Sequence, residues 1–226
     1  MLQRSLVALL LFPASVILAV GHPNPSAAPL KTHLPKVGTM IVNTYYVTDS
    51  SGAIVPKSKV DPKMDDDTLH VVLSGVALFG RSNCIELVAA AHSDTSLISY
   101  AKNGDLYMRT VGRDSDWSRL PFGMPRGKII RKQLPNDTGN VFLKEYNMPH
   151  SRTWQVLGND TVSSSGKIYH CVKLQIVDIR EWQGRIWKQG MLYWYAPEIG
   201  YIARMNFGWD GPYFLNQQLK VLQNNE

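Results

Sequence analysis

An all-β fold is predicted, an antiparallel meander that forms a strongly curved sheet or small barrel. Three observations carry this. Runs rich in β-branched and aromatic residues recur along the chain. Turn residues separate them at short spacing. No segment sustains the helical period over the length a helix needs. The 226 residues are 44% hydrophobic and 19% charged, which suits one globular domain with a core of its own.

Residues 1–21 carry Arg4, an apolar run over 6–20 broken by Pro13, and the small residues Ala19 and Gly21 at the end. This is the pattern of a signal peptide. The run falls short of the roughly 20 residues that span a bilayer. No cysteine follows it for lipid attachment. The expectation is export, to the periplasm or the outside. Residues 22–36 (HPNPSAAPLKTHLPK) read as a Pro-rich tether, and 37–226 as a single β domain.

Strands are expected at 37–47, 69–79 and 84–91, then at 95–101 and 106–111 around KNGD. Asn103 and Gly104 between two such runs predict a type I′ hairpin, which needs φ > 0 at both central residues. Further strands are expected at 128–132, 141–146, 152–157, 167–179, 185–196, 201–207 and 217–222. The segments PNDTGN, GNDTVSSSG, EWQG, PEIG and GWDG read as the turns between them.

In GMLYWYAPEIGYIARMNF, residues 190–207, strand alternation sorts the side chains. Trp187, Met191, Tyr193 and Tyr195 share one face of the first strand; Ile186, Leu192 and Trp194 share the other. Pro197 belongs at a strand end and Gly200 at a corner, so 196–200 turns the chain. Trp187, Met191, Tyr193, Met205 and Phe207 are then expected on one surface, as the binding residues for an apolar or amphiphilic ligand. Trp194 is expected on the opposite face, in a packing layer.

Two cysteines, Cys84 and Cys171, are expected to pair if the chain is exported, the alternative being two buried thiols. The net charge of +6 is mostly scattered. Its one dense cluster, RGKIIRK at 126–132, suits either a protected edge strand or contact with an anionic membrane surface. No nucleic-acid partner is expected.

Motifs that carry chemistry are missing: no G-x-S-x-G, H-E-x-x-H, P-loop or dinucleotide fingerprint occurs. The histidines, His22, His33, His70, His92, His150 and His170, stand apart in sequence. His22 would become the N-terminus after cleavage and could chelate copper, but it opens a Pro-rich tether. Asp65 to Asp67, and Asp114 with Asp116, read as loops, and Asn136 and Asn159 as turn positions. No catalytic residue, metal or cofactor is expected, and the protein is not expected to be an enzyme.

The segments WQVLG (154–158), SGKIYHCVK (165–173) and YWYAPEIGYI (193–202) resemble a group of exported bacterial β-rich proteins of unassigned function. That group is similar in fold to the lipoprotein carriers of the outer-membrane sorting pathway. The resemblance implies a curved antiparallel sheet with an apolar inner face. This chain departs from it in lacking a lipid-attachment cysteine and an evident carrier helix. The expected function is that of an exported, non-catalytic protein binding a lipid-like ligand or an envelope protein. A structural or assembly module with a filled core is the alternative, and a hydrolase or copper enzyme with an unrecognised site is a third. Cavity volume separates the first two.

Overall fold

A computed structural model describes residues 33–56, 67–78, 81–89, 95–111, 117–141, 144–208 and 213–223. The expected signal peptide, His22 with most of the tether, Asp65 and Asp66, His92, and Asp114 with Asp116 lie outside the described residues. Among the described residues thirteen strands follow one another: β1 (Met40–Asp49), β2 (Ile54–Val55), β3 (Asp67–Leu78), β4 (Arg81–Ala89), β5 (Thr95–Tyr100), β6 (Leu106–Thr110), β7 (Ser118–Leu120), β8 (Ile129–Val141), β9 (Lys144–Ser164), β10 (Lys167–Trp182), β11 (Arg185–Ala196), β12 (Tyr201–Gly208) and β13 (Tyr213–Gln223). No helix long and apolar enough to cross a membrane occurs among the described residues.

All strands belong to one antiparallel sheet, ordered β7-β6-β5-β4-β3-β1-β13-β12-β11-β10-β9-β8, with the short β2 beside β1. The first and last strands pair at its middle, from Met40 opposite Gln223 to Asp49 opposite Tyr213. Each half is a chain of hairpins, so nearly every contact between strands is between sequence neighbours.

The expected small barrel does not form. β7 and β8 are the two edges, and no ladder joins them among the described residues. Nor is the sheet strongly curled, although it bends. The connection makes the bend necessary. Laid flat, twelve paired strands would hold their edges about 50 Å apart. The residues joining Leu120 to Ile129 reach about 30 Å at most. The sheet therefore turns one half toward the other, and residues 121–128 cross between them. The Phe122 ring meets Tyr195 of β11, centroids 4.9 Å apart. Tyr100 of β5 donates its hydroxyl hydrogen to the Gly200 carbonyl at 2.7 Å. The core lies between the halves and includes Ile41, Val72, Ile85, Ile98, Phe122, Leu174, Ile176 and Tyr195.

Several expected turns are strand instead. PNDTGN lies within β8, where a register shift between Leu134 and Asp137 absorbs Pro135. Most of GNDTVSSSG belongs to β9, and only Ser165 and Gly166 turn, with φ of 49° and 75°. Ladder pairing with a long neighbour outweighs weak local preference at both places. The hairpin at KNGD forms, but not as a type I′ turn: among its residues Gly104 alone has positive φ, at 86°. The loop spans 101–105, because the Asn103 side chain accepts the Asp105 N–H at 3.2 Å and draws Asp105 inward. Residues 118–120, expected as loop, form the edge strand β7.

The expected disulfide is absent. Cys84 and Cys171 are both buried thiols, on β4 and β10. Five strands separate these in the sheet order, whereas a disulfide needs Cα atoms within about 7 Å. Each thiol donates to a nearby carbonyl: Cys84 to Arg81 at 3.4 Å, Cys171 to Tyr169 at 3.6 Å.

Candidate functional site: an amphiphilic groove at the open seam

Where the two edges face each other without pairing, a groove of about 380 Å³ opens. Its lining comes from both sides of the seam. Trp117, Arg119 and Pro121 belong to β7 and its flanks; Ile130, Lys132, Leu134, Arg152 and Trp154 belong to β8 and β9.

The β8–β9 wall follows from ladder register. Ile130 pairs with Trp154, Lys132 with Arg152, and Leu134 with His150. Paired residues share a face, so alternate residues of β8 place an apolar, a cationic and an apolar side chain on the groove side. Trp154 is buried, and its indole N–H donates to the Arg119 carbonyl at 3.2 Å. That bond joins the edge strand β7 to β9 across the seam.

The β7 wall is held by Asp105. Its carboxylate is buried and accepts from Arg119 Nε at 2.8 Å and from the Gly123 N–H at 3.1 Å. Gly123 is needed here because a Cβ would fall 1.8 Å from the Asn103 carbonyl oxygen. Loop 101–105 thus props up the connection that forms one end of the seam.

The cations of the groove are not equivalent. Arg119 is engaged by Asp105. Arg152 is engaged by Asp178 of β10, through two hydrogen bonds at 2.6 and 2.7 Å. Burial pushes the Asp178 carboxyl up, but the Arg152 hydrogen bonds and charge, with His150, outweigh it and hold it below the usual carboxylate range. Arg152 is raised in turn, chiefly by the same hydrogen bonds. Lys132 stands directly opposite Arg152, a like-charge pair that costs stability unless neutralised. Asp178 neutralises Arg152 from the next strand. Among the described residues no carboxylate pairs with Lys132, which is exposed at the mouth.

The same register carries the face inward. The row Ile130, Trp154, Ile176, Met191, Phe207 runs through five strands. The row Leu134, His150, Arg180, Trp187 runs on the same face, with the row Lys132, Arg152, Asp178, Gln189 between the two. The five residues expected on one surface are therefore on one face: Met191 pairs with Phe207 and Tyr193 with Met205. Met191 is buried, while Tyr193, Met205 and Phe207 are half-buried against the core. Burial pushes the Tyr193 hydroxyl up to about 12. Tyr193 and Met205 also border a hollow of about 170 Å³ with Tyr45, Ile98 and Tyr201. Trp187 stands apart from these four, exposed near the β10–β11 turn. Trp194 lies on the opposite face, buried; its indole N–H donates to Asp160 at 2.8 Å, and Lys173 and Arg204 sit over its ring.

A second hollow, about 570 Å³ and more open, is bordered by His33, Asp160, His170, Cys171 and Glu198. Glu198 accepts the His170 backbone N–H at 3.0 Å. Among the described residues no three His, Cys, Asp or Glu side chains group to hold a metal ion.

Sequence reasoning missed Trp117, Lys132, Leu134, Arg152 and Trp154 as a site. A signal existed in RGKIIRKQL, where Ile130, Lys132 and Leu134 alternate. Nothing in the sequence shows that β7, at the other end of the ladder, would face them.

No protein-family model matches the chain, and no curated protein does. Solved structures of bacterial proteins are similar in fold. One is the hypothetical lipoprotein YmcC from Escherichia coli (K12), 9% identical, covering 83% of this chain and 86% of its own at a TM-score of 0.39. Another is a candidate exported protein with a YmcC-like fold from Bacteroides fragilis, 12% identical, covering 86% and 100%, TM-score 0.40. A third is a candidate lipoprotein from Parabacteroides distasonis, 12% identical, covering 85% and 99%, TM-score 0.44.

Proposed function

We propose that this is an exported, non-catalytic binding protein whose seam groove takes an anionic amphiphile, a molecule with a short apolar part and a negatively charged head. The observation that carries this is the pairing of Trp154, Ile130 and Leu134 on the groove wall with Lys132 at its mouth. Arg119 and Arg152 already have carboxylates, so Lys132 supplies the uncompensated charge. The volume of about 380 Å³ lies within the range of pockets that hold small molecules. Export is supported by the leader-like residues 1–21.

The site differs from the wide inner concavity that the sequence suggested. Core side chains pack between the halves, and the hollow of about 170 Å³ beside Tyr193 and Met205 is near the size that admits benzene rather than an acyl chain. That packing favours a second reading, an assembly module whose aromatic strands only pack.

Uptake of a fluorescent fatty-acid analogue separates the two. Binding is expected, with Lys132→Glu weakening it about tenfold, the loss of one charge-assisted contact. A neutral probe with the same tail should be little affected by that change. If the wild-type protein takes up neither probe, the amphiphile reading fails and the assembly module stands.

A further inference from the structure

The basic run RGKIIRK is divided between the two faces of the sheet. Lys132 lines the seam groove; Arg126 lies on the other face, laid over β9 at Gly158. Gly158 sits inside a strand, where glycine marks a close approach. A Cβ there would fall 2.8 Å from Arg126 Nε, and φ is 132°, a value that favours glycine. Gly158 is opposite Lys173, Lys173 opposite Trp194, and Trp194 opposite Arg204. Paired residues share a face, so Arg126, Lys173 and Arg204 follow one another across β9 to β12, a span of about 15 Å.

Charge in this row is not balanced. Asp160 reaches Lys173 at 3.4 Å and accepts the Trp194 indole N–H at 2.8 Å. Among the described residues no carboxylate pairs with Arg126 or Arg204. Arg126 is exposed and Arg204 half-buried. Arg204 donates from Nη2 to the neutral side-chain oxygen of Asn216 at 3.4 Å, and its Nε is buried with no partner. A cation held in this way is costly unless an anion meets it.

We infer that this row binds a linear polyanion bearing phosphate groups, laid across β9 to β12. Two of the three cations are arginines, whose planar fork matches the oxygens of a phosphate. All three are held against the strands. Gly158 makes the place for Arg126, and the Trp194 ring lies 4.6 Å from Lys173 Nζ and 5.0 Å from Arg204 Cζ. They form a fixed line of charge, which suits a polymer lying in the plane of the sheet. Trp194 is only 6% exposed, so no base can stack on it, and stacking is what a single-stranded nucleic acid takes from such a surface. The fitting occupant is therefore a phosphate polymer without bases. The row lies on the face opposite the seam groove, and its role stands whether or not the groove binds an amphiphile.

Calorimetric titration of the full chain with a linear inorganic polyphosphate tests it. Binding is expected at low salt and should weaken steeply as salt rises. Arg126→Glu, a change at an exposed side chain, should weaken it about tenfold, and Arg204→Gln likewise. Arg204→Lys should lose less, because the charge remains. Melting curves check each variant, and where Arg204→Gln is unstable Arg126→Glu decides. Lys132→Glu, on the groove face, should bind as the wild type does. Monomeric phosphate at the same total phosphate should bind far more weakly than the polymer. The inference is overturned if the wild type does not bind, if Arg126→Glu binds equally well, or if monomeric phosphate or polyglutamate binds as tightly as polyphosphate. Tighter binding of single-stranded oligothymidylate would make the row a nucleic-acid surface and overturns it too. So does a loss of binding in Lys132→Glu alone, which would move the contact to the seam.

Discussion

Arg152 and Asp178 face each other across β9 and β10 as a bidentate ion pair at 2.6 and 2.7 Å, with the Asp178 side chain 1% exposed. Removing one partner of such a pair strands the other charge in the interior. Asp178→Asn is therefore expected to lower stability by about 3–5 kcal/mol near neutral pH. The effect has a pH signature. The folded Asp178 carboxyl is held below its ordinary value, so the unfolded chain takes up the proton first. The pair's contribution is complete above the unfolded value of about 4 and is lost as pH falls through the lower folded value. Urea unfolding of wild type and variant at stepped pH should show the gap closing in acid. A gap that persists unchanged below that window would mean the pair contributes by packing alone.

Trp194 is expected to be the costlier of the two tryptophans of β11. It is buried, bonded to Asp160 and covered by Lys173 and Arg204, whereas Trp187 is half exposed. Trp194→Ala should cost about 3–5 kcal/mol, and Trp187→Ala within about 0.5 kcal/mol. Thermal melts of both variants check this. Equal losses would show that the hairpin end of β11 packs more tightly than its exposure indicates.

Gly200 ends the 196–200 corner with φ of 63°, and a Cβ there would fall 1.8 Å from the carbonyl oxygen of His33. His33 in turn donates its backbone N–H to the Pro197 carbonyl at 2.9 Å. Gly200→Ala is expected to cost more than about 1 kcal/mol and to push the 33–35 segment off the corner. Limited proteolysis should then cut before residue 37 earlier than in the wild type. An unchanged cleavage rate would show that the corner does not anchor that segment.

Cys84 and Cys171 are expected to be recovered as two thiols, even from an oxidising compartment. Burial, aided by Glu198 and Asp160, raises the Cys171 thiol to about 12, so little of it is the reactive thiolate at neutral pH. Iodoacetamide should leave the native protein nearly unmodified and add two labels after denaturation. A mass two hydrogens lower with no labels would restore the disulfide.

The all-β class was written in the sequence, because strand composition and alternation are local properties. The corner at Pro197 and Gly200 was legible for the same reason, as was the shared face of Met191, Tyr193, Met205 and Phe207, since parity follows from the backbone. Other features depend on partners far along the chain. PNDTGN became strand because β9 offered a continuous ladder, and a two-residue turn at Asn103 gave way to a longer loop because Asp105 had Arg119 and Gly123 to bind. The seam was beyond local reading altogether. Trp154 and Arg119 lie 35 residues apart in sequence, on β9 beside one edge of the sheet and on β7 at the other. Only the bend imposed by the short connection between β7 and β8 brings them together, and with them the groove that Lys132 opens onto.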